Sequence, residues 1–197
     1  MLMVKPEIVI IKYNAGNIRS VDFALQRLGI KAEITDDAEK IKNAGKVIFP
    51  GVGEASGTMK YLTDRGLDTV IKDLKQPVLG ICLGMQLMCR FSEEGNTDCL
   101  GIFDTDVVKF RKGKVPHMGW NRLENTGGDL YEGCDEGLYV YFVHSFYVPG
   151  NHYTTAICRN GYVFSASLQR NNFFATQYHP EKSGITGENI LKRFIEL

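Results

Sequence analysis

The sequence predicts an α/β fold: a mostly parallel, twisted sheet flanked by helices, with an antiparallel extension. Three observations predict it. Through the first half, short runs rich in β-branched residues alternate with segments of helical period. Those runs are largely apolar, as expected of strands covered on both faces. Past Gly95 the pattern changes to closely spaced strands, several of them alternating, with Gly, Asn or Pro between most of them. Alternating strands and helices imply right-handed crossovers and therefore a parallel sheet.

In chain order, residues 7–11 read as a buried strand, and Ile18, Val21, Leu25 and Leu28 fall at helical spacing before Gly29 closes the helix. Strands follow at 32–34 and 46–49, the second ending at Pro50-Gly51-Val52-Gly53. A helix is expected over 57–74, a strand over 77–81 and a helix over 84–91. Strands at 107–110, 120–123, 138–143, 153–159, 163–168 and 173–178 come next, and Ile190, Leu191, Phe194 and Ile195 mark a closing helix over 187–197. Asp36 to Lys40 reads as the solvated start of a helix, and Trp120, the only tryptophan, as core filler beside a strand. No repeat, linker or low-complexity tract interrupts 1–197, so one domain is expected.

Composition narrows the function classes. At 197 residues there is room for one substantial core. Lys plus Arg and Asp plus Glu both number 23, so the broad basic field of a nucleic-acid binder is missing. With no stretch of about 18 uninterrupted apolar residues and no leader-like N-terminus, neither a membrane span nor a signal peptide is read. Five cysteines without CxxC spacing argue against a zinc site or disulfide framework and for reduced thiols in a cytoplasmic protein.

Gly80-Ile81-Cys82-Leu83-Gly84 stands between a strand and a helix. Glycines on both sides suit a sharp turn that leaves little room for Cβ atoms. Cysteine reacts as thiolate, which a helix start favours, and the Leu83 N–H would face a developing oxyanion. The bland reading is a buried core cysteine, which is how Cys89, Cys99, Cys134 and Cys158 are read. In Gln177-Tyr178-His179-Pro180-Glu181 the proline favours extended backbone at His179. Residues two apart then project to one side, roughly 6.6 Å apart. Glu181 can fix the imidazole tautomer and leave the other nitrogen to take the thiol proton. A surface turn with an incidental His–Glu pair is the alternative. His152 reads as solvated, and His117 and His144 as positioning or packing residues. At this level an activated thiol remains open to peptidase, hydrolase or transferase chemistry.

With these motifs the chain resembles the class I (triad) glutamine amidotransferases. Gly80 through Gln86 matches the nucleophile motif, and His179-Pro180-Glu181-Lys182-Ser183 the base motif. Tyr13 to Ile18, Pro50 to Gly53, Pro116 to Asn121 and Tyr141 to Tyr147 resemble the glutaminase subunits that serve a synthase of histidine biosynthesis. A glutaminase subunit feeding another pathway is the nearest rival. Lys12 and Asn14 depart from that pattern, which commonly carries an acidic residue and a glycine there.

The resemblance implies Cys82 as nucleophile, His179 as base and acid, and Glu181 as its orienter. It implies that Gln86 and His144-Ser145-Phe146 hold the α-amino and α-carboxylate groups of L-glutamine. Gly51 or Val52 would complete an oxyanion hole with Leu83. Tyr141 and Lys182 are expected near the ammonia exit, facing a partner. No cofactor is implied. The implied partner is a (β/α)8 synthase subunit in a 1:1 heterodimer, which uses the ammonia to make imidazole glycerol phosphate and an aminoimidazole carboxamide ribonucleotide.

Overall fold

A computed structural model describes residues 7–13, 17–134 and 137–197. Asn14, one of the two departures, lies outside the described residues, whereas Lys12 is exposed just beyond the first strand.

Strands β1 (Ile8–Ile11), β2 (Glu33–Thr35), β3 (Lys46–Phe49) and β4 (Val78–Ile81) are parallel in the order β2-β1-β3-β4. Helices α1 (Ile18–Arg27), α2 (Ala38–Asn43), α3 (Ala55–Asp64) and α4 (Leu67–Asp73) connect them. The apolar side chains of β1, β3 and β4 divide between two faces, as a period of two requires. Val9, Ile11, Val47, Phe49 and Val78 pack with Ile41, Leu62 and Ile71 of α2, α3 and α4. Ile8, Ile10, Ile48, Leu79 and Ile81 pack on the opposite face with Val21 and Leu25 of α1. Each such side chain contributes about 1.5–3 kcal/mol by leaving water. At the start of α2, Asp37 accepts from the Glu39 and Lys40 N–H groups, so the acidic run does begin a helix.

After β4 come α5 (Leu83–Met88), β5 (Cys89–Ser92), β6 (Thr97–Asp98), β7 (Phe103–Lys109), β8 (His117–Glu124), β9 (Tyr139–His144), β10 (Phe146–Tyr147), β11 (Thr154–Arg159), β12 (Val163–Arg170), β13 (Phe173–Thr176) and α6 (Gly184–Glu196). The large sheet continues from β4 through β13-β12-β11-β8-β9. β13 pairs parallel with β4, and every later neighbour is antiparallel. Helix α6 returns to the sheet, with Ile190, Leu191 and Phe194 on the α1 side.

Four expectations need correction. The helix expected over 57–74 is two helices, because Gly66 takes a left-handed φ of 67° between α3 and α4. The helix expected over 84–91 stops at Met88, where the chain turns into β5. The strand expected at 107–110 is part of β7 and lies in a second, four-stranded sheet of order β10-β7-β5-β6, not in the extension of the first. Trp120 is 55% exposed, not core. On β8 the buried positions are His117 and Leu123, so alternation turns the even-numbered residues Met118, Trp120 and Arg122 outward. No helix among the described residues is long and apolar enough to cross a membrane.

Candidate active site

The carboxyl ends of β4 and β13 lie side by side, and Cys82 leaves β4 there with φ 54° and ψ −105°. That conformation costs a β-carbon-bearing residue about 1–3 kcal/mol and persists only where its surroundings hold it. Two hydrogen bonds do so: the Cys82 N–H donates to Thr176 O at 2.7 Å, and the Gln86 N–H to Cys82 O at 3.1 Å. The turn also presses α5 onto β3, so a Cβ on Gly84 would lie 1.9 Å from Phe49 O. The glycine two residues after Cys82 is therefore a packing requirement. The Cys82 sulfur is itself between two groups of opposite character, the Val143 carbonyl at 3.9 Å and the Gln177 Nε2 at 3.7 Å.

His179 is fully buried and adopts the extended φ of −100° expected before proline. Its N–H donates to Tyr141 O at 2.9 Å; Ser183 Oγ donates to His179 O at 2.6 Å and accepts from the Tyr141 N–H at 2.9 Å. The backbone of β9 thus clamps the imidazole. His179 Nδ1 donates to Glu181 Oε1 at 2.7 Å, which leaves Nε2, buried and with no hydrogen-bond partner among the described residues, as the nitrogen free to exchange a proton. Burial alone would lower the His179 pKa; the neighbouring Cys82 sulfur and then the Glu181 carboxylate outweigh it and raise it to about 10. The arrangement favours a protonated imidazole next to the Cys82 sulfur.

Glu181 is held in turn by Asn17, whose Nδ2 donates to the same Oε1. Asn17 sits at the start of α1 with φ 73°, and its side chain makes no capping bond there. An Asn before a helix reads as a cap, generally worth about 1 kcal/mol; here it serves the carboxylate instead, a role sequence reasoning missed.

Beside Cys82 opens a cleft of about 310 Å3 lined by Val52, Leu83, Gln86, His144, Ser145 and Phe146 from the expected set, and also by Glu94. Glu94 carries the cleft's carboxylate and was not anticipated. Burial raises its pKa, against the hydrogen bond from the Ala55 N–H at 2.9 Å. Gln86 Nε2 donates to Phe146 O and to Gln177 Oε1, both at 3.0 Å, so the end of Gln86 available to a ligand is its oxygen. His144 Nδ1 also donates to Phe146 O, at 2.7 Å, and its Nε2 therefore accepts from His117 Nδ1 at 3.0 Å. Burial, opposed by that carbonyl and aided by His117 and His179, lowers the His144 pKa to about 3. His144 is a neutral, fixed wall of the cleft.

The expected oxyanion donors are not both in place. The Leu83 N–H donates to Gly51 O at 3.3 Å, so a carbonyl occupies the position where an oxyanion would sit. Tyr13, buried and kept protonated by that burial, donates its hydroxyl to Pro50 O and holds the same loop from behind. Tyr141 and Lys182 lie outside the cleft. Tyr141 is half-buried, its ring 6.1 Å from that of Trp120, and Lys182 is exposed in the turn Pro180–Lys182. His152 is exposed, and Cys89 and Cys158 are buried in the core.

A family model described as glutamine amidotransferase class-I matches residues 9–197. The imidazole glycerol phosphate synthase subunit HisH of Bacteroides fragilis (strain YCH46) is 60% identical over 195 residues, 97% of this chain and 100% of its own length. The subunit of the same name from Idiomarina loihiensis is 47% identical, over 96% of this chain and 97% of its own. In fold, the crystal structure of a glutamine amidotransferase superposes with a TM-score of 0.75 at 19% identity, covering 95% of this chain and 97% of that one. The chain belongs to the class-I glutamine amidotransferases and, among them, to the family of imidazole glycerol phosphate synthase subunit HisH.

Proposed function

We propose that the whole chain, 1–197, is a single glutaminase domain that hydrolyses L-glutamine through a γ-glutamyl thioester on Cys82. It passes the ammonia to a (β/α)8 synthase subunit in a 1:1 complex of histidine biosynthesis, in the cytoplasm. The observation that carries this reading is the strained Cys82 beside a buried, carboxylate-oriented His179, on a cleft sized for one amino acid. A peptidase of similar sheet would need an extended groove for a chain. Relatives named as synthase subunits support the partner.

In this mechanism the Cys82 thiolate attacks the side-chain amide carbon and His179 Nε2 protonates the departing nitrogen. Ammonia leaves, His179 takes a proton from water, and the hydroxide releases glutamate and regenerates the thiolate. Glu94 is the counter-charge for the α-ammonium, with the Gln86 oxygen beside it, and the backbone of Ser145 and Phe146 faces the α-carboxylate. The oxyanion is held by Leu83 N–H once the Gly51–Val52 peptide has rotated, which removes Gly51 O and brings in the Val52 N–H. Glu181→Gln is expected to lower kcat about 10²–10⁴-fold with the melting temperature little changed. Asn17→Leu should lower it in the same direction by less. A Glu181→Gln rate equal to wild type would remove Glu181 from the mechanism.

The partner covers the exposed apolar group of Met118 (60% exposed), Trp120 and Ile185 (78% exposed), next to Tyr141 and Lys182. Co-purification with the synthase subunit tests the reading directly. The synthase's nucleotide substrate should stimulate glutamine hydrolysis severalfold over the isolated chain, and Trp120→Ala should weaken association by about tenfold or more. Full glutaminase activity in the chain alone would contradict the partner dependence.

A further inference from the structure

We propose that Gln177 is a thiolate-stabilising residue of the site, donating its side-chain N–H to Cys82 Sγ, and that Gln86 acts through it by fixing which end of the Gln177 amide faces the sulfur. The inference rests on the reading of Cys82 as nucleophile. Gln177 is fully buried one residue beyond β13, the strand whose Thr176 carbonyl anchors the Cys82 N–H. Its backbone N–H is taken by Ala166 O at 2.8 Å, and its side chain points to Gln86 and Cys82.

The polarity of its amide follows from one acceptor. Phe146 O is a carbonyl and accepts only, so the end of Gln86 that meets it at 3.0 Å is the N–H2. That same N–H2 lies 3.0 Å from Gln177, which must present its oxygen there. The remaining end of Gln177, at 3.7 Å from Cys82 Sγ, is then its N–H2. The other branch from Phe146 O obeys the same rule: His144 donates to it and accepts from His117. The sulfur consequently has a choice of partner that depends on its charge. A neutral thiol donates to the Val143 carbonyl, and a thiolate, repelled by that carbonyl, accepts from Gln177. An amide adds no charge, so it stabilises the anion without competing with His179 for the proton.

The test is the pH dependence of Cys82 alkylation by iodoacetamide in the full chain, with Cys82 followed by peptide mass because other cysteines are present. Gln177→Met keeps the bulk and removes the donor; Gln177→Glu keeps the shape and replaces the donor by oxygen. Both should move the acid limb of the rate to higher pH. At a fixed pH on the acid limb the rate should fall about tenfold, the low end for a hydrogen bond to a charged group, with more loss in the glutamate variant. The plateau at high pH should recover. A purely packing role would lower the plateau or the melting temperature and leave the limb in place. An unmoved limb in folded Gln177→Met overturns the proposal. Should both Gln177 variants fail to fold, Gln86→Met must shift the limb in the same direction by a smaller amount, and an unmoved limb there overturns it equally. Alkylation needs neither glutamine nor a partner. An unmoved limb alongside glutamine hydrolysis that Cys82→Ser abolishes would therefore sink the role of Gln177 and leave the glutaminase reading standing.

Discussion

Replacing Cys82 with serine is expected to lower glutamine hydrolysis by about 10⁴-fold or more, while the complex with a synthase subunit still uses added ammonium at its normal rate. The hydroxyl occupies nearly the same volume at the elbow and still fits between Val143 O and Gln177 Nε2, so the fold and the partner surface are preserved. What is lost is the anion. A serine oxygen cannot exist as the standing partner of an imidazolium, and His179 would have to deprotonate it within each turnover. The same variant should report on the histidine itself. Burial pulls the His179 pKa down, and the sulfur is the first of the groups that raise it to about 10. With the sulfur gone, Glu181 alone opposes burial, and the titration of His179 followed by NMR should move to lower pH. Glutaminase activity retained in Cys82→Ser would remove the thioester from the mechanism, and loss of the ammonium-dependent reaction would mean that the variant disturbs the complex.

The parts of this site carried by contiguous residues could be read from the sequence alone. The strand, the flanking glycines and the helix around Cys82 are local, and the extended step from His179 to Glu181 is set by the intervening proline. Elements fell into place wherever an apolar run had clear punctuation. What was not legible depends on contacts across the chain. Asn17 looks like a helix cap because capping is the local use of that residue type, and its bond to Glu181 spans 164 positions. Gln177 precedes a recognisable motif, but the direction of its amide is set by Phe146 through Gln86, which no spacing encodes. Glu94 belongs to an acidic turn after β5, and nothing local says which of Glu93 and Glu94 faces the cleft. Trp120 failed for a simpler reason: β8 begins at His117, earlier than the strand was expected to begin, and the register of burial along β8 turned the ring outward. A one-residue error in strand phase exchanges core and surface completely.

Gly51→Ala is expected to reduce glutamine hydrolysis by about 10²-fold or more, in the chain alone and in the complex, without slowing iodoacetamide alkylation of Cys82. At Gly51 an added Cβ would meet Tyr13 Oη at 2.5 Å, Leu83 Cβ at 2.7 Å and the Gly84 nitrogen at 2.8 Å. None of these can give way: the tyrosine hydroxyl is tied to Pro50 O, and the other two belong to the elbow that holds Cys82. The methyl must therefore push the 50–53 loop away from Leu83. That breaks the resting bond from Leu83 N–H to Gly51 O, but it also carries the Val52 N–H away from the place where the second oxyanion donor is needed. A rotation confined to the Gly51–Val52 peptide would leave the Gly51 Cα against Leu83, so alanine would be excluded from the working position as well as from the resting one. Loss of one oxyanion donor is commonly worth a factor of about 10²–10³ in kcat. The alkylation control separates this loss from damage to the nucleophile, because that reaction builds no oxyanion. Two outcomes would contradict the account. Activity within a few-fold of wild type would mean that the loop accepts a Cβ in both positions. A rise in activity independent of the partner would mean that Gly51 O is the sole obstruction and that displacing it is sufficient.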